Sequence, residues 1–165
     1  MDEIDIALLR GLVADARTSQ RQLAAALGIS APTVSERMSR LEKAGVIGGY
    51  SVQINWGAVG YGQTVYLSIT AIAGQDVAEI MERLWRLPEV QEVTLITGDL
   101  DLLVRLRLRD QNHLRSLLMD HVWQIPGLQG TTTQISMGDM PTKNFADELL
   151  AQIGTDLAHS KDIQR

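Results

Sequence analysis

Apolar residues recur at intervals of three and four along the N-terminal part of the chain, which is the spacing of amphipathic helices. Within residues 3–14, Ile4, Leu8 and Leu12 share one face, and Leu9 lies beside them. This pattern predicts a first helix over these residues.

Two further helices, separated by a tight turn, are predicted between Ser19 and Gly45. Ser19 is a favourable N-cap with Gln22 at the capping-box spacing, and Gly28 suits the left-handed residue that ends this helix. Ser30 caps the next helix, which Gly45 ends. The apolar stripe of that helix consists of Val34, Met38 and Leu41. Two short helices joined by a glycine turn form the helix-turn-helix pattern, in which the second helix lies in the DNA major groove.

Beyond Gly45 the helical period gives way to alternation. Tyr50, Val52 and Ile54 alternate with other residues, which predicts a short strand or wing. The next stretch is rich in glycine, so we place a hinge or linker at residues 51–62. A DNA-binding domain over residues 1–50 is therefore expected. The glycines of the hinge are Gly57, Gly60 and Gly62.

The segment 63–140 predicts a second domain. Strand patterns cover residues 63–73, 90–97, 101–109 and 128–137, and helical patterns lie at 76–87 and 111–124. The order strand, helix, strand, strand, helix, strand is that of a ferredoxin-like βαββαβ domain. One face of the first strand is apolar and the other is polar but uncharged, which suits burial against another sheet. The predicted fold class is α+β, with a winged helix-turn-helix domain followed by a ferredoxin-like domain.

A last amphipathic helix is predicted over residues 142–157, within a C-terminal segment of 141–165. Phe145, Leu149, Ile153 and Leu157 lie on one of its sides. Residues 159–165 are expected to form a frayed tail. The sequence assigns this helix no role.

The composition is that of a globular protein and excludes several kinds of site. The chain has 165 residues, of which 45% are hydrophobic and 21% are charged, and it has no cysteine. Disulfides, thiolate catalysis and zinc fingers are therefore excluded. Neither a signal peptide nor an apolar run of about 20 residues is present, so we expect a cytoplasmic protein that makes no membrane contact.

The net charge of −5, taken alone, argues against a nucleic-acid partner, but the charge is unevenly distributed along the chain. Residues 1–49 contain six acidic and six basic residues, so they sum to zero. Between Arg17 and Lys43 there are five basic and two acidic residues, a local charge of +3. The predicted helix-turn-helix is thus the least acidic part of the chain, and the acidic remainder restricts DNA contact to the N-terminal end.

Three segments resemble the Lrp/AsnC family, the leucine-responsive or feast/famine regulators. They are LAAALGIS and SERMSRLEKAGVIGGY near the N-terminus, and TGDLDLLV from Thr97 to Val104. Leu100 stands where an aromatic residue is common in the family. The resemblance implies a bacterial or archaeal transcription factor that dimerises through its second domain, often assembles dimers into octamers, and responds to amino acids.

We expect the third helix to contact DNA on the face opposite its apolar stripe. Recognition helices contact bases mainly through N-terminal residues, so Thr33 and Ala31, beside Pro32, are expected to touch base edges or thymine methyls. Arg37 is expected to contact guanine, and Glu36 to accept a hydrogen bond from cytosine N4. Phosphate contacts are expected from Ser19, Gln20, Arg21, Arg40 and Lys43. The alternative is an ordinary solvated helix face.

The candidate effector loop comprises Gly98, Asp99, Leu100 and Asp101. Glycine allows backbone N–H groups to approach a ligand carboxylate, and Asp101 is suited to a ligand ammonium. The alternative is a plain hairpin turn. The same site, or a subunit interface, is expected to include Thr131, Thr132 and Thr133, although three threonines are also explained by β-propensity.

These observations favour a sequence-specific DNA-binding regulator with an effector-sensing, oligomerising domain, which binds a pseudo-palindromic double-stranded site as a dimer or a tetramer of dimers. An alternative is a ligand-binding or assembly module that acts on a protein partner instead of DNA. An enzyme is disfavoured because neither a nucleophile–base pair nor metal-ligand spacing is present, so we expect no catalytic residue, no metal and no cofactor beyond an amino-acid effector. His121 lies on an apolar stripe and is expected in the core or an interface. Arg105, Arg107 and Arg109 alternate on a strand face that is expected to be solvated or to pair at an interface.

Overall fold

The computed structural model describes residues 1–140 and 143–162, which divide into two compact units. We call the first unit the head; it comprises Met1–Val52 together with the C-terminal helix. The second unit, Gln53–Met140, is called the sheet domain. Each unit has its own hydrophobic core.

Within residues 1–52, all of which are described, the head contains three helices: α1 (Glu3–Ala14), α2 (Gln20–Leu27) and α3 (Ala31–Lys43). The predicted caps are confirmed. Ser19 and Gln22 form a reciprocal capping box, and Gly28 ends α2 with a left-handed φ of 66°. The Ser30 hydroxyl accepts a hydrogen bond from the Thr33 amide at 3.2 Å, with Pro32 in the first turn of α3.

The core of the head is assembled from the apolar stripes of the three helices. A Cβ atom at Gly11 would lie 2.8 Å from the Leu23 side chain, so glycine allows α1 and α2 to approach closely at this point. The buried core residues are Leu8, Leu9, Leu12, Leu23, Ala24, Val34 and Leu41, with Met38 partly buried against them.

The segment that follows α3 differs from the prediction. Residues 49–55 contain no strand, and Tyr50, Val52 and Ile54 are exposed by 52%, 86% and 50%. A β-strand needs a neighbouring strand for its backbone hydrogen bonds, and none of the described residues supplies one here. The glycine-rich stretch that was expected to be a hinge instead forms compact turns of the sheet domain, in which the Tyr61 amide donates to the Trp56 carbonyl at 2.8 Å.

The sheet domain, whose residues are all described, has the predicted ferredoxin-like order. Its four-stranded antiparallel sheet has the order β2-β3-β1-β4. The two helices connect β1 to β2 and β3 to β4. The elements are β1 (Gln63–Ala71), α4 (Val77–Trp85), β2 (Val90–Leu95), β3 (Leu102–Leu108), α5 (Gln111–Asp120) and β4 (Leu128–Ile135).

The two faces of β1 differ as its sequence predicts. Val65, Leu67 and Ile69 are fully buried in the core. Thr64 and Ser68 on the other face are also buried, each with 3% exposure. They are hydrogen-bonded there, because Arg107 Nη1 donates to Thr64 Oγ1 at 2.7 Å and Ser68 Oγ donates to Gln134 Oε1 at 3.3 Å.

His121 lies outside the core of the sheet domain, so of the two predicted locations, core or interface, the interface stays as a prediction. Helix α5 ends at Asp120, and His121 has φ and ψ of −127° and −61° before a 3₁₀ turn at Val122–Gln124. Because the helical period stops there, Val122 takes the inward position with 1% exposure and the His121 side chain is exposed.

The C-terminal helix, α6 (Phe145–Asp162), packs against α1 of the head. Leu150 lies against the core of the head, and Asp147 accepts hydrogen bonds from Arg10 Nε at 2.7 Å and Nη2 at 3.4 Å. The helix continues through residue 159, where a frayed tail was predicted. The predicted start at Thr142 and the end of the tail at 163–165 lie outside the described residues. No helix in the described parts of the chain is both long and apolar enough to span a bilayer.

Candidate nucleic-acid interface and effector loop

The N-terminal end of α3 presents polar and small side chains at the surface. Pro32 and Glu36 are exposed, while Ala31 and Thr33 are half-buried. The Thr33 hydroxyl lies 2.7 Å from the Ser30 hydroxyl, so the capping hydrogen bonds fix its orientation. Ala31 packs partly against the head core, which leaves Thr33 and Glu36 as the side chains with free polar surface at this end.

Arg37 is bound inside the head and is not free on the exposed face of α3. Its Nη1 donates to both carboxylate oxygens of Asp2 at 2.8 Å and to Asp5 Oδ1 at 2.7 Å. Only 19% of the side chain is exposed. We therefore correct the expectation that Arg37 faces outward, since its donors bind two carboxylates of α1 and its cap.

Asp5 is the centre of this ion-pair network. It is fully buried, and Arg40 Nη2 donates to both of its oxygens at 2.9 Å, although 60% of the Arg40 side chain remains exposed. The Asp2 amide donates to Asp5 Oδ2 at 2.9 Å, which closes a capping box at the start of α1. The network thus joins the start of α1 to the outer face of α3 through charge-assisted hydrogen bonds.

The surroundings keep both carboxylates ionised. The hydrogen bond from Arg37 and then that from the Asp5 amide lower the pKa of Asp2 to about 2. Burial raises the pKa of Asp5, but hydrogen bonds from the Asp2 amide and from Arg37 outweigh it, so the net pKa lies below its ordinary value. The same bonds raise the pKa of Arg37. The network therefore persists at any pH near neutrality.

Some exposed cations of the head have no carboxylate partner in the described part of the chain and are therefore free to bind phosphate. Arg21 and Lys43 are exposed and, among the described residues, form no ion pair. Arg17 is also exposed and forms no ion pair among the described residues, although it was not among the predicted contact residues. Ser19 and Gln20 are exposed at the start of α2, where the Ser19 hydroxyl also donates to Gln22 Oε1 at 2.7 Å.

The candidate effector loop lies at the C-terminal end of β1. Gly98 has a φ of 120°, which favours glycine at this position. Asp101 Oδ2 accepts a hydrogen bond from the Ala71 amide at 2.7 Å, and the Asp101 amide donates to the Ile69 carbonyl at 3.0 Å. Asp101 therefore fixes the loop to β1 with one carboxylate oxygen and keeps the other available. Asp99 is exposed and Leu100 is half-buried.

The three threonines of β4 do not share one face. Thr131 and Thr133 pair in register with Ile69 and Leu67, whereas Thr132 pairs with Ser68 and points to the opposite side of the sheet. Thr131 Oγ1 accepts a hydrogen bond from Trp123 Nε1 at 3.1 Å. The Asp101 loop and Thr131 thus lie on opposite edges of β1, and Thr132 faces the other side of the sheet from Thr131.

The described part of the chain contains no cluster of potential metal ligands. Over residues 1–140 and 143–162, no group of three or more His, Cys, Asp or Glu side chains is placed to bind a metal ion.

Comparison with known proteins identifies both parts of the chain. Residues 1–47 match the winged helix-turn-helix DNA-binding family, and residues 64–143 match the Lrp/AsnC ligand-binding domain. The chain is 33% identical over 135 residues to the HTH-type transcriptional regulator FL11 of Pyrococcus abyssi, covering 82% of this chain and 88% of the relative. It is 34% identical to the leucine-responsive regulatory protein of Haemophilus influenzae over 147 residues, covering 88% and 89% of the two chains.

Solved structures show the same architecture. Escherichia coli AsnC aligns with a TM-score of 0.81 at 26% identity, covering 87% of this chain and 98% of AsnC. The leucine response regulatory protein LrpA of Mycobacterium tuberculosis aligns with a TM-score of 0.74 at 28% identity, covering 87% and 97%. An N-terminal helix-turn-helix domain and a C-terminal four-stranded α/β domain therefore follow one another along this chain as they do in these regulators. The chain belongs to the Lrp/AsnC family of DNA-binding transcriptional regulators that respond to an effector.

Proposed function

We propose that two copies of this chain present their α3 helices to the two halves of a pseudo-palindromic DNA site. A two-fold symmetric dimer requires such a site. The observation that supports DNA as the partner is the head surface, where Arg21 and Lys43 are exposed and have no carboxylate partner among the described residues. A charged surface of this kind is suited to phosphate.

Within the head, the proposed roles differ along α3. Thr33 and Glu36 contact base edges, with Ala31 and Pro32 against thymine methyls. Arg40 keeps most of its side chain exposed, so it reaches phosphate while bound to Asp5. Arg37 is a positioning residue that fixes α3 on α1. The remaining phosphate contacts come from Ser19, Gln20, Arg21 and Lys43.

Dimerisation is supported by the unpaired segment between the units. Residues 49–55 form neither helix nor strand, and their apolar side chains Tyr50, Val52 and Ile54 are exposed. The same segment of a second copy would pair their backbone groups and cover these side chains. We propose a homodimer on this basis, with assembly of dimers into larger oligomers as in the family.

Removing Arg21 and Lys43, two of the cations without a carboxylate partner among the described residues, is expected to weaken DNA binding without unfolding the head. For the double variant Arg21→Ala/Lys43→Ala, the slope of log affinity against log salt should fall by about 0.9 for each lost phosphate contact. Affinity at moderate salt should fall about tenfold or more. Fluorescence anisotropy on DNA from the region upstream of the gene, repeated at several salt concentrations, measures both.

The matched control is Arg83→Ala/Arg86→Ala, which removes one exposed arginine from α4 of the sheet domain and another from its C-cap. It changes the net charge equally, so it should leave the slope unchanged. Equal loss of affinity in the two double variants would refute the proposed interface, because only the total charge would then matter.

The effector is proposed to be an amino acid that binds at the Gly98–Asp101 loop. A Neisseria meningitidis regulator of the same fold, 20% identical with a TM-score of 0.81, was solved in complex with L-methionine. In this chain, the free oxygen of Asp101 is suited to a ligand ammonium, and the loop lies near Thr131 across β1. We propose that effector binding changes oligomer size or the spacing of the heads, and with it DNA affinity.

Asp101→Ala is expected to reduce the thermal stabilisation that the effector produces, because the ammonium loses its carboxylate partner. The measurement is a thermal-shift titration with each amino acid, taken relative to the unliganded melting temperature of each variant. Asp99→Ala is the control, since Asp99 is an exposed carboxylate of the same loop. An amino acid that stabilises wild type and Asp101→Ala equally would rule Asp101 out.

A further inference from the structure

A cavity of about 300 Å³ lies in the sheet domain, apart from the effector loop. It is enclosed by the turn that precedes β1, by the connection from α4 to β2, and by β3. We propose that it binds a small molecule in which a carboxylate is attached to an aromatic or branched apolar group. Its lining includes Trp56, Tyr61, Pro88, Glu89, Val90 and Arg107.

The aromatic wall of the cavity is fixed in place from behind. The Tyr61 amide donates to the Trp56 carbonyl at 2.8 Å, which closes the turn that carries both rings. Behind Tyr61, the His113 ring packs edge-on with centroids 6.0 Å apart, and the Arg109 guanidinium lies 5.9 Å from the Tyr61 ring centroid. The wall is therefore formed before any ligand arrives, which reduces the ordering cost of binding.

Arg107 supplies the polar recognition group. Its Nε donates to Gln91 Oε1 at 3.1 Å and its Nη1 to Thr64 Oγ1 at 2.7 Å, so two neutral acceptors fix the guanidinium. Among the described residues, no carboxylate forms an ion pair with it. A positive charge with remaining donors beside apolar walls is satisfied best by a carboxylate.

The acidic residue of the lining has a partner of its own. Glu89 Oε1 lies 3.1 Å from His113 Nε2, and the two side chains are only 19% and 12% exposed. Asp110 Oδ1 accepts from the His113 amide at 2.8 Å, which fixes the start of α5 beneath this pair. Glu89 already has a partner in His113, whereas Arg107 has no carboxylate partner among the described residues, so we expect the carboxylate of the ligand to determine binding.

The size and lining of the cavity determine which apolar group the ligand can carry. Its volume lies at the lower end of the range of small-molecule sites. Trp56, Tyr61 and Pro88 contribute the apolar part of the lining, so we expect a phenyl or isopropyl group of the ligand to lie against them beside Arg107.

Three related probes test the proposal by isothermal titration calorimetry on the full-length protein: 3-phenylpropionate, L-phenylalanine and phenethylamine. We expect the first two, which carry a carboxylate, to bind and the third, which lacks one, not to bind. Arg107→Gln should weaken 3-phenylpropionate binding about tenfold or more. Arg107→Lys keeps the charge but not the planar guanidinium group, so its affinity for 3-phenylpropionate should lie between that of Arg107→Gln and that of the wild type. Arg105→Gln is the control, since Arg105 lies on the same face of β3 outside the lining.

Tryptophan fluorescence locates the ligand independently of the arginine variants. A carboxylate probe that enters the cavity should change the emission of Trp56, and the change should disappear in Trp56→Phe while Trp85 and Trp123 remain. Binding of phenethylamine as tight as that of 3-phenylpropionate, equal binding by wild type and Arg107→Gln, or no saturable binding by either carboxylate would each overturn the proposal. These outcomes are separate from the DNA-binding test, because the cavity lies wholly in Gln53–Met140.

Discussion

Asp5→Ala is expected to destabilise the head by about 2 to 3 kcal/mol and to abolish specific DNA binding at temperatures where the wild type binds. The substitution removes the buried carboxylate that accepts from Arg37, Arg40 and the Asp2 amide. Breaking a buried ion pair from one side leaves the other charge incompletely compensated. Because Arg40 is mostly exposed and Arg37 keeps Asp2, the loss falls below that for a fully buried pair.

Denaturant unfolding followed by two signals separates the units in this test. The three tryptophans, Trp56, Trp85 and Trp123, all belong to the sheet domain, so their fluorescence reports its unfolding. Far-UV circular dichroism also includes the helices of the head. In Asp5→Ala the dichroism transition should move to lower denaturant, while the fluorescence transition stays in place.

Glu36→Ala is the control for the stability effect. Glu36 is an exposed carboxylate on α3 that forms no ion pair among the described residues, so its removal should change stability by no more than about 0.5 kcal/mol. If Asp5→Ala were as stable as Glu36→Ala, the Asp2–Asp5–Arg37–Arg40 network would make no contribution to the fold of the head.

Local signals in the sequence were sufficient for the two ends of α2 and the start of α3. Ser19, Ser30 and Gly28 mark helix ends through interactions that span three or four residues, and the structure confirms each of them. The alternation in β1 likewise predicts its buried face, because side chains of a strand point to opposite sides in turn.

The roles of charged residues could not be predicted in this way. On a helix diagram Arg37 and Arg40 are equivalent outward-facing cations. Their roles are decided by carboxylates more than thirty residues away in sequence, because both arginines bind Asp5 and Arg37 also binds Asp2. The sequence contained one signal of this ion pair: Asp5, an acidic residue that lies between Ile4 and Ile6 in an apolar stretch. A buried carboxylate needs a cationic partner, so its position predicts an ion pair without identifying the arginine.

Two further features of the structure could not be predicted from periodicity. Tyr50, Val52 and Ile54 have strand-like alternation, but no strand of the described chain lies beside them. His121 matched the helical period, but the helix ended one residue earlier. Periodicity states which face of an element is apolar and does not state whether a neighbour exists to cover it.

Periodicity predicted the C-terminal helix without predicting its neighbour, for the same reason. The structure shows that this helix covers α1. Ile6 of α1 is buried, with 4% exposure, and a Cβ atom at Gly154 would lie 3.4 Å from Ile6 Cγ2. Leu150 packs on the head core, and Asp147 pairs with Arg10. Helix α6 thus lies on the side of α1 that the three-helix core leaves open. The relatives match 135 to 147 residues of this chain, so most of α6 lies beyond or at the edge of the family match.

A chain that ends at Met140 is therefore expected to have a head destabilised by about 2 to 4 kcal/mol, since the apolar side chains of α1 and α6 lose their mutual burial. The dichroism transition should move while tryptophan fluorescence does not, as for Asp5→Ala. Three full-length variants separate packing from charge. Gly154→Phe should force α6 away from Ile6 and reproduce most of the loss, whereas Ala158→Phe, at an exposed position of the same helix, should not. Asp147→Ala removes only an exposed ion pair, so the dichroism transition should stay close to that of the wild type. A truncated chain whose head unfolds at the wild-type midpoint would show that α6 lies on α1 without stabilising it.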